Sequence, residues 1–465
     1  MFDPSVYSRR RNELVKNMSA GLILMPGNED TPMNYLSNTY PFRQDSSFLY
    51  FFGPDRQGLT GIIDVDQNRH ILLGDDDDLN DIIWMGSRTS IRSLGEKSGV
   101  NEIHSRSEIE KILKQAMGKG RKIHYLPPYR SEKVLRIEKW LETHHSRVVE
   151  QASPELIRNV VKLRSVKSPE EIAEIEQAVD IAYEMHTAAM KMAHPGIFER
   201  EISGHIEGIS LSHGNPVPFP VILTTNGEIL HNHYHGKELA KGKIMITDAG
   251  SETYMHYASD ISRSVPVGGK FRPEQKDIYK IVLKTLQESV KSIKPGIPYR
   301  DIHLQAATVI ANGLKELGLM KGDIDQAVSE GAHALFFPHG LGHMIGLDAH
   351  DMEDLGENYV GYDDEIIRSD QFGLAFLRLG RRLHKNFALT VEPGIYFIPA
   401  LIDKWNSENL FTNFINYNKV EMYRDFGGIR IEDDVIVTDG GCRVLGTPIP
   451  QTISEIEETM QAGKL

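Results

Sequence analysis

His194-Pro195-Gly196-Ile197-Phe198-Glu199-Arg200-Glu201-Ile202 recurs one hundred residues later as Lys294-Pro295-Gly296-Ile297-Pro298-Tyr299-Arg300-Asp301-Ile302. In both places a long amphipathic stretch stops at Pro-Gly and a second helical pattern begins. The first long helix is predicted over 168–193: Ser168 is placed to cap it, Pro169 suits its first turn, and Glu171 sits three residues after the cap. The second is FRPEQKDIYKIVLKTLQESVKSI, 271–293. Strand-like segments follow each pair, 243–265 in the first case, 387–396 and 428–438 in the second. Such self-similarity predicts two related halves with a functional centre between their strands. The alternative is two unrelated helical hairpins that share a Pro-Gly-Ile turn.

Upstream, AGLILMPG (20–27), GLTGIIDV (58–65), RHILLG (69–74) and RKIHYLPP (121–128) have the short apolar runs of strands. SEIEKILKQAMGKG and SEKVLRIEKWLETHH have the periodicity of helices. An α/β amino-terminal domain over 1–155 is expected, followed by an α+β domain of two pseudo-symmetric halves over 156–465. The segment QASPELIRNVVKLRSVKS, 151–168, contains Pro154 and reads as lacking a sustained apolar face, so the connection is expected there. The run Asp75 to Asp78 is expected to be a solvated loop rather than a cation site.

A chain of 465 residues, 40% hydrophobic and 25% charged, can bury a large core. A net charge of −13 and a pI near 5.8 argue against the basic groove that nucleic-acid phosphates require; small molecules or peptides fit better. One cysteine, Cys442, cannot form an internal disulfide. MFDPSVYSRRRNELVKNM has no apolar core of signal-peptide length, and no later stretch reaches the ~18 apolar residues of a membrane span. A cytoplasmic protein with no membrane partner is expected.

The chemistry is concentrated in five short segments: Asp248 in ITDAG, Asp260 in SDISRS, His343 in PHGLGHMIG, Glu392 in TVEPGIY and Glu432 in GIRIEDD. Four carboxylates and an imidazole form a donor set that divalent ions such as Mn²⁺, Co²⁺ and Zn²⁺ accept. A hairpin through 243–265 would bring Asp248 and Asp260 together, and cations between them would remove the cost of burying unpaired charge. Gly340 and Gly342 permit a tight path that would let one of His339 and His343 face metal and the other substrate. Glu392 is fixed by the Pro393-Gly394 turn after it. Alternation along GGIRIEDDVIV sets Arg430, Glu432 and Asp434 on one face and Ile429, Ile431 and Asp433 on the other. Arg430 would then offset and orient the carboxylates, unless it forms only a surface ion pair. The set points to a two-metal hydrolase.

On these motifs, with FRQDSSFLYFFG (42–53), the chain resembles the pita-bread metallopeptidases over almost its whole length, in the branch containing Xaa-Pro aminopeptidase (aminopeptidase P) and Xaa-Pro dipeptidase (prolidase). The resemblance implies a pita-bread catalytic domain and a homodimer. It implies two metal ions, Mn²⁺ foremost with Co²⁺ or Zn²⁺ as alternatives, held by Asp248, Asp260, His343, Glu392 and Glu432. It also implies that His231, His350, Arg378 and Arg430 meet substrate, that His339 or His350 stabilises the developing oxyanion, and that Glu392 moves a proton. His231 is the functional member expected of HNHYH, 231–235; the rival arrangement puts His231, His233 and His235 on one strand face as a zinc-like site.

The bond before proline has no N–H for a peptidase to grip, and cations that acidify a water and polarise the carbonyl remove that need. Arg378, 14 residues before Glu392, resembles the carboxylate-binding arginine of eukaryotic-type prolidases, and the long segment 398–427 is similar to that branch. A dipeptide's free carboxylate suits a guanidinium. Hydrolysis of Xaa-Pro dipeptides is therefore expected, with Xaa-Pro aminopeptidase activity on longer peptides as the alternative. If Arg378 is a plain surface arginine beside Arg381 and Arg382, the dipeptide preference falls. A pita-bread module that binds peptide or protein without hydrolysis is the remote third reading, disfavoured by the complete ligand set.

Overall fold

The computed structural model describes residues 1–463 and divides into two units, Met1–Arg164 with 352–359, and Ser165–Asp351 with the chain from Val360 onward. In the first, β1 (Leu22–Pro26), β2 (Thr60–Asp64), β3 (Arg69–Leu73), β4 (Glu102–His104) and β5 (Ile123–His124) lie in the order β4-β3-β2-β1-β5. The three central strands are antiparallel and the outer pairs parallel. Ile23, Leu24, Ile62, Ile63, Leu72 and Leu73 are fully buried, neighbours along each strand included, so both faces of the sheet are covered. The strand expected over 121–128 shortens to two residues because Pro127 and Pro128 have no N–H to donate to a ladder.

One expectation upstream needs correction. Residues 154–165 form a helix, α1 (Pro154–Ser165), with the apolar face that the segment was read as lacking. Pro154 sits in its first turn, where a missing N–H costs nothing, and Leu156, Ile157, Val160 and Val161 make a buried stripe at helical spacing. The Asp75–Asp78 run lies in a largely exposed loop, as expected, and its carboxylates also find partners. Asp76 accepts the Ile91 N–H at 2.7 Å, Asp77 pairs with Arg56 and Arg88, and Asp78 caps the helix Leu79–Met85.

In the second unit, α2 (Pro169–Met192) starts as predicted, with Glu171 accepting the Ser168 N–H at 3.0 Å. It leads through the first Pro-Gly turn to α3 (Glu199–Ser212). After the second turn, α4 (Pro273–Ser292) gives way to α5 (Tyr299–Glu316). The two turns match bond for bond. Gly196 (φ +94°) donates to Leu239 O at 3.1 Å and Gly296 (φ +87°) to Leu383 O at 2.8 Å. Leu239 returns a bond to Ile197 O at 2.8 Å, and Leu383 to Ile297 O at 3.0 Å. Positive φ at both turns is why each holds glycine.

Each returning segment then runs into a strand that ends on a carboxylate, Asp248 nine residues after Leu239 and Glu392 nine after Leu383. Strands β6 (Ile222–Thr224), β7 (Ile244–Ala249) and β8 (Ile261–Pro266) form one antiparallel sheet in the order β8-β7-β6. The second half splits its strands. The segment 387–396 becomes β9 (Ala388–Val391) and β10 (Gly394–Tyr396), broken at Pro393; 428–438 becomes β11 (Gly428–Arg430) and β12 (Asp433–Val437). β9 pairs with β12, which also carries β13 (Cys442–Val444), while β10 pairs with β11. The break at Glu432 arises because its N–H leaves that ladder to donate to Ser262 O, on β8, at 3.0 Å. No helix among the described residues is long and apolar enough to cross a membrane.

Candidate active site

All ten residues singled out from the sequence line one cavity of about 620 Å³ in the second unit. The four carboxylates sit where strands end or break: Asp248 near the end of β7, Asp260 just before β8, Glu392 after β9, Glu432 between β11 and β12. Strand ends release a side chain from the alternation of the sheet while the ladder beside it keeps the backbone fixed. The β7–β8 register sets Ser262 opposite Asp248, which brings Asp260 to the same end of the hairpin.

Alternation in the carboxyl-terminal motif survives its broken ladder. Arg430 donates to Asp248 Oδ2 at 2.6 Å, Glu432 accepts the Ser262 hydroxyl at 2.9 Å, and Asp434 accepts the Asp260 N–H at 3.0 Å, so all three face the hairpin. Asp433 points the other way to Arg263 at 2.7 Å. Arg430 is buried, so the surface-pair alternative is excluded.

His343 is held by its loop. Its N–H donates to Thr390 Oγ1 at 3.2 Å and its Nδ1 to Met344 O at 3.0 Å, leaving Nε2 to face Asp260 Oδ2 at 3.4 Å and Glu392 Oε1 at 3.7 Å. Gly342 serves close approach rather than unusual φ: a Cβ there would lie 2.0 Å from Thr390 O. Ligand-type atoms of Asp248, Asp260 and Glu432 lie within 4.8 Å of one another, as do those of His343, Glu392 and Glu432, and those of Asp260, His343 and His350.

Two further side chains complete the site and were not singled out from the sequence. Tyr396, fully buried, receives Arg430 Nη1 at 2.8 Å and donates to His339 Nε2 at 2.9 Å. Ser262 receives Arg430 Nε at 2.9 Å while donating to Glu432. Alternation within β10 sets Tyr396 on one face with Gly394 but does not name its partners. The run 231–235 is not a strand: His235 turns to Val221 O at 3.0 Å, His233 is exposed, and only His231 reaches the cavity. The rest of the lining includes Phe372 and Phe376, from a connection without strand or long helix, and Leu401 and Lys404, three residues apart on the helix Pro399–Ser407.

Burial, with Asp248 alongside, raises the Asp260 carboxyl well above the usual carboxylate range. Burial likewise raises Glu432, and pushes Glu392 up to about 7. Carboxylates this close and this dry resist ionising together without positive charge between them. His339 is driven the other way: burial, then Arg430, lowers it to about 3, so its imidazole is neutral.

Residues 173–439 match "Metallopeptidase family M24", and residues 7–124 match "Aminopeptidase P, N-terminal domain". The chain belongs to metallopeptidase family M24. This M24 member is 32% identical to the Xaa-Pro dipeptidase of Rattus norvegicus, over 97% of its own length and 90% of the relative's. It is 32% identical to the Xaa-Pro aminopeptidase of Escherichia coli K12, over 98% of each chain. Its fold matches that of E. coli aminopeptidase P with the inhibitor Pro-Leu at a TM-score of 0.81 and 30% identity, covering 100% of this chain and 99% of that one. Zn-substituted E. coli aminopeptidase P in complex with product gives 0.81 and 30%, covering 99% of each. The architecture is thus an amino-terminal domain followed by a pita-bread metallopeptidase domain.

The M24 member's own residues fit divalent metal ions. Three buried carboxylates and the partly buried Glu392 face a single buried guanidinium, an excess of negative charge that two dications would balance. Asp248 Oδ1 is buried with no hydrogen-bond partner although Oδ2 is held by Arg430, the state of a carboxylate oxygen oriented for a cation.

Proposed function

We propose that the enzyme hydrolyses the peptide bond preceding proline, with Xaa-Pro dipeptides as its main substrates. Asp248, Asp260, His343, Glu392 and Glu432 would hold two ions, and a carboxylate-rich set with one imidazole favours Mn²⁺ over Zn²⁺. When bound, such ions acidify a water and polarise the scissile carbonyl. Glu392, with Oε1 toward His343 and Oε2 3.7 Å from His339 Nδ1, is the group placed to take and return a proton. Of the two histidines near the oxyanion, we assign the donor role to His350, whose ring lies 4.2 Å from that of His343; His339 turns Nδ1 to Gly340 O at 2.8 Å and Nε2 to Tyr396. Neutral His339 and His231 border the space for the prolyl residue.

The observation that carries the dipeptide reading is that Arg378 lines the carboxylate cavity and its charge acts on both His231 and His339. A guanidinium there suits the carboxylate of a two-residue substrate. Turnover of Gly-Pro and of Arg-Pro-Pro by wild type and Arg378→Ala tests it: Gly-Pro turnover should fall ~10²-fold in the variant, the worth of a charge-assisted bidentate pair. Unchanged Gly-Pro turnover in the variant defeats the carboxylate clamp, and wild-type preference for Arg-Pro-Pro assigns the enzyme to Xaa-Pro aminopeptidase activity. A homodimer is supported by the helix Leu79–Met85, which buries none of its side chains and exposes Leu79, Ile83, Trp84 and Met85. A cytoplasmic setting is consistent with the lone Cys442.

A further inference from the structure

The segment carrying His350 contains neither helix nor strand, yet its imidazole lies 4.2 Å, ring to ring, from that of His343. Main-chain bonds tie the loop in three places: Ala258 N–H to Gly346 O at 2.8 Å, Gly346 N–H to Asp348 O at 3.1 Å, and Asp351 N–H to Met344 O at 3.0 Å. Next to His350, Asp351 Oδ2 receives Lys167 Nζ at 2.6 Å, and both side chains are 1% exposed or less. Space for this pair is made by Gly346, where a Cβ would stand 2.5 Å from Asp351 Oδ2 and 2.6 Å from Lys167 Nζ. Lys167 is itself anchored, its N–H donating at 2.8 Å to Asn386 O, two residues before β9, the strand that runs into Glu392.

We propose that Lys167 and Asp351 are positioning residues that fix His350 relative to the carboxylates, a proposal that takes its catalytic meaning from the peptidase reading above. Stability alone is a poor reason for a buried ion pair, since apolar residues of similar volume often serve as well; geometry is the use it does serve. The pair joins the loop of the oxyanion donor to the base of the strand that delivers Glu392. A shift of about 1 Å at such a donor costs on the order of 10²-fold in rate.

The test compares wild type, Lys167→Met, and Lys167→Met with Asp351→Asn, the double variant removing the stranded charge so that folding is preserved. With Mn²⁺ loaded and bound metal measured, both variants should keep wild-type metal content and a KM for Gly-Pro within about threefold, while kcat falls 10- to 100-fold. The double variant should regain thermal stability without regaining kcat. Recovery of both together would mean a structural role only and overturn the proposal. A crystal structure of the double variant decides independently of turnover: His350 displaced from its 4.2 Å contact supports positioning, and His350 unmoved refutes it. Should wild type cleave neither Gly-Pro nor Arg-Pro-Pro, the peptidase reading falls while the position of His350 still judges this one.

Discussion

The two Pro-Gly turns of the catalytic domain make the same hydrogen bonds, but the chain that follows them differs in length and in chemistry. In the first half α3 ends at Ser212 and the chain is back at the turn by Leu239; in the second, α5 ends at Glu316 and the return comes only at Leu383. The longer excursion holds His339, His343, His350 and Arg378, whereas the shorter one contributes His231 to the cavity. Symmetry therefore places the carboxylates Asp248 and Glu392 at matching strand ends, and asymmetry supplies the imidazoles and the guanidinium. A duplicated frame is enough to build a cation cradle; handling a substrate needs the part that is not duplicated.

That contrast can be broken most forcefully at the matched carboxylates. Asp248→Asn and Glu392→Gln should each lower kcat/KM by at least ~10³-fold, several kcal/mol of transition-state stabilisation, and each should lower bound metal measured by elemental analysis. Full metal content and full turnover in either would end the equivalence. A smaller effect is expected at Tyr396, where the first half has Glu252 four residues past Asp248. Tyr396→Phe removes the hydroxyl between Arg430 and His339 and should cost ~10-fold in kcat, about 1.4 kcal/mol, with metal content unchanged. Loss of metal instead would show that Tyr396 supports the cradle through Arg430. The smallest effect sharpens the frame itself. Gly196→Ala and Gly296→Ala meet no crowding, the nearest atom to either Cβ being Glu238 Oε1 at 3.9 Å, so only the positive φ is penalised. Both should destabilise by about 1 kcal/mol in denaturant titrations, equally and with little loss of activity. Clearly unequal losses would mean the turns carry different loads.

Much of the frame was legible because its signals are local. The Pro-Gly repeat, the Glu171 cap and the motifs around Asp248, His343 and Glu392 are marked by glycine and proline, whose backbone limits act within a few residues. What escaped depends on distant partners. The breaks at Pro393 and Glu432 reflect strands changing neighbours, and the Glu432 N–H goes to Ser262 O, far away in sequence. Helix α1 was missed because its apolar positions, Leu156, Ile157, Val160 and Val161, are interleaved with Arg158, Asn159 and Lys162 over only 12 residues. The link from Arg430 through Tyr396 to His339 requires three segments to meet, and no pattern within one of them announces it. His231 illustrates the opposite case: its place in the cavity was expected, and the strand face that the rival arrangement with His233 and His235 needs does not exist.

The central claim is that Asp248, Asp260, His343, Glu392 and Glu432 converge on a pair of divalent ions. Anomalous diffraction from crystals grown with Mn²⁺ addresses it directly. Two peaks among these five side chains, about 3.5–4 Å apart, are the predicted result. A cavity with no peak, or peaks bound elsewhere on the molecule, would contradict it.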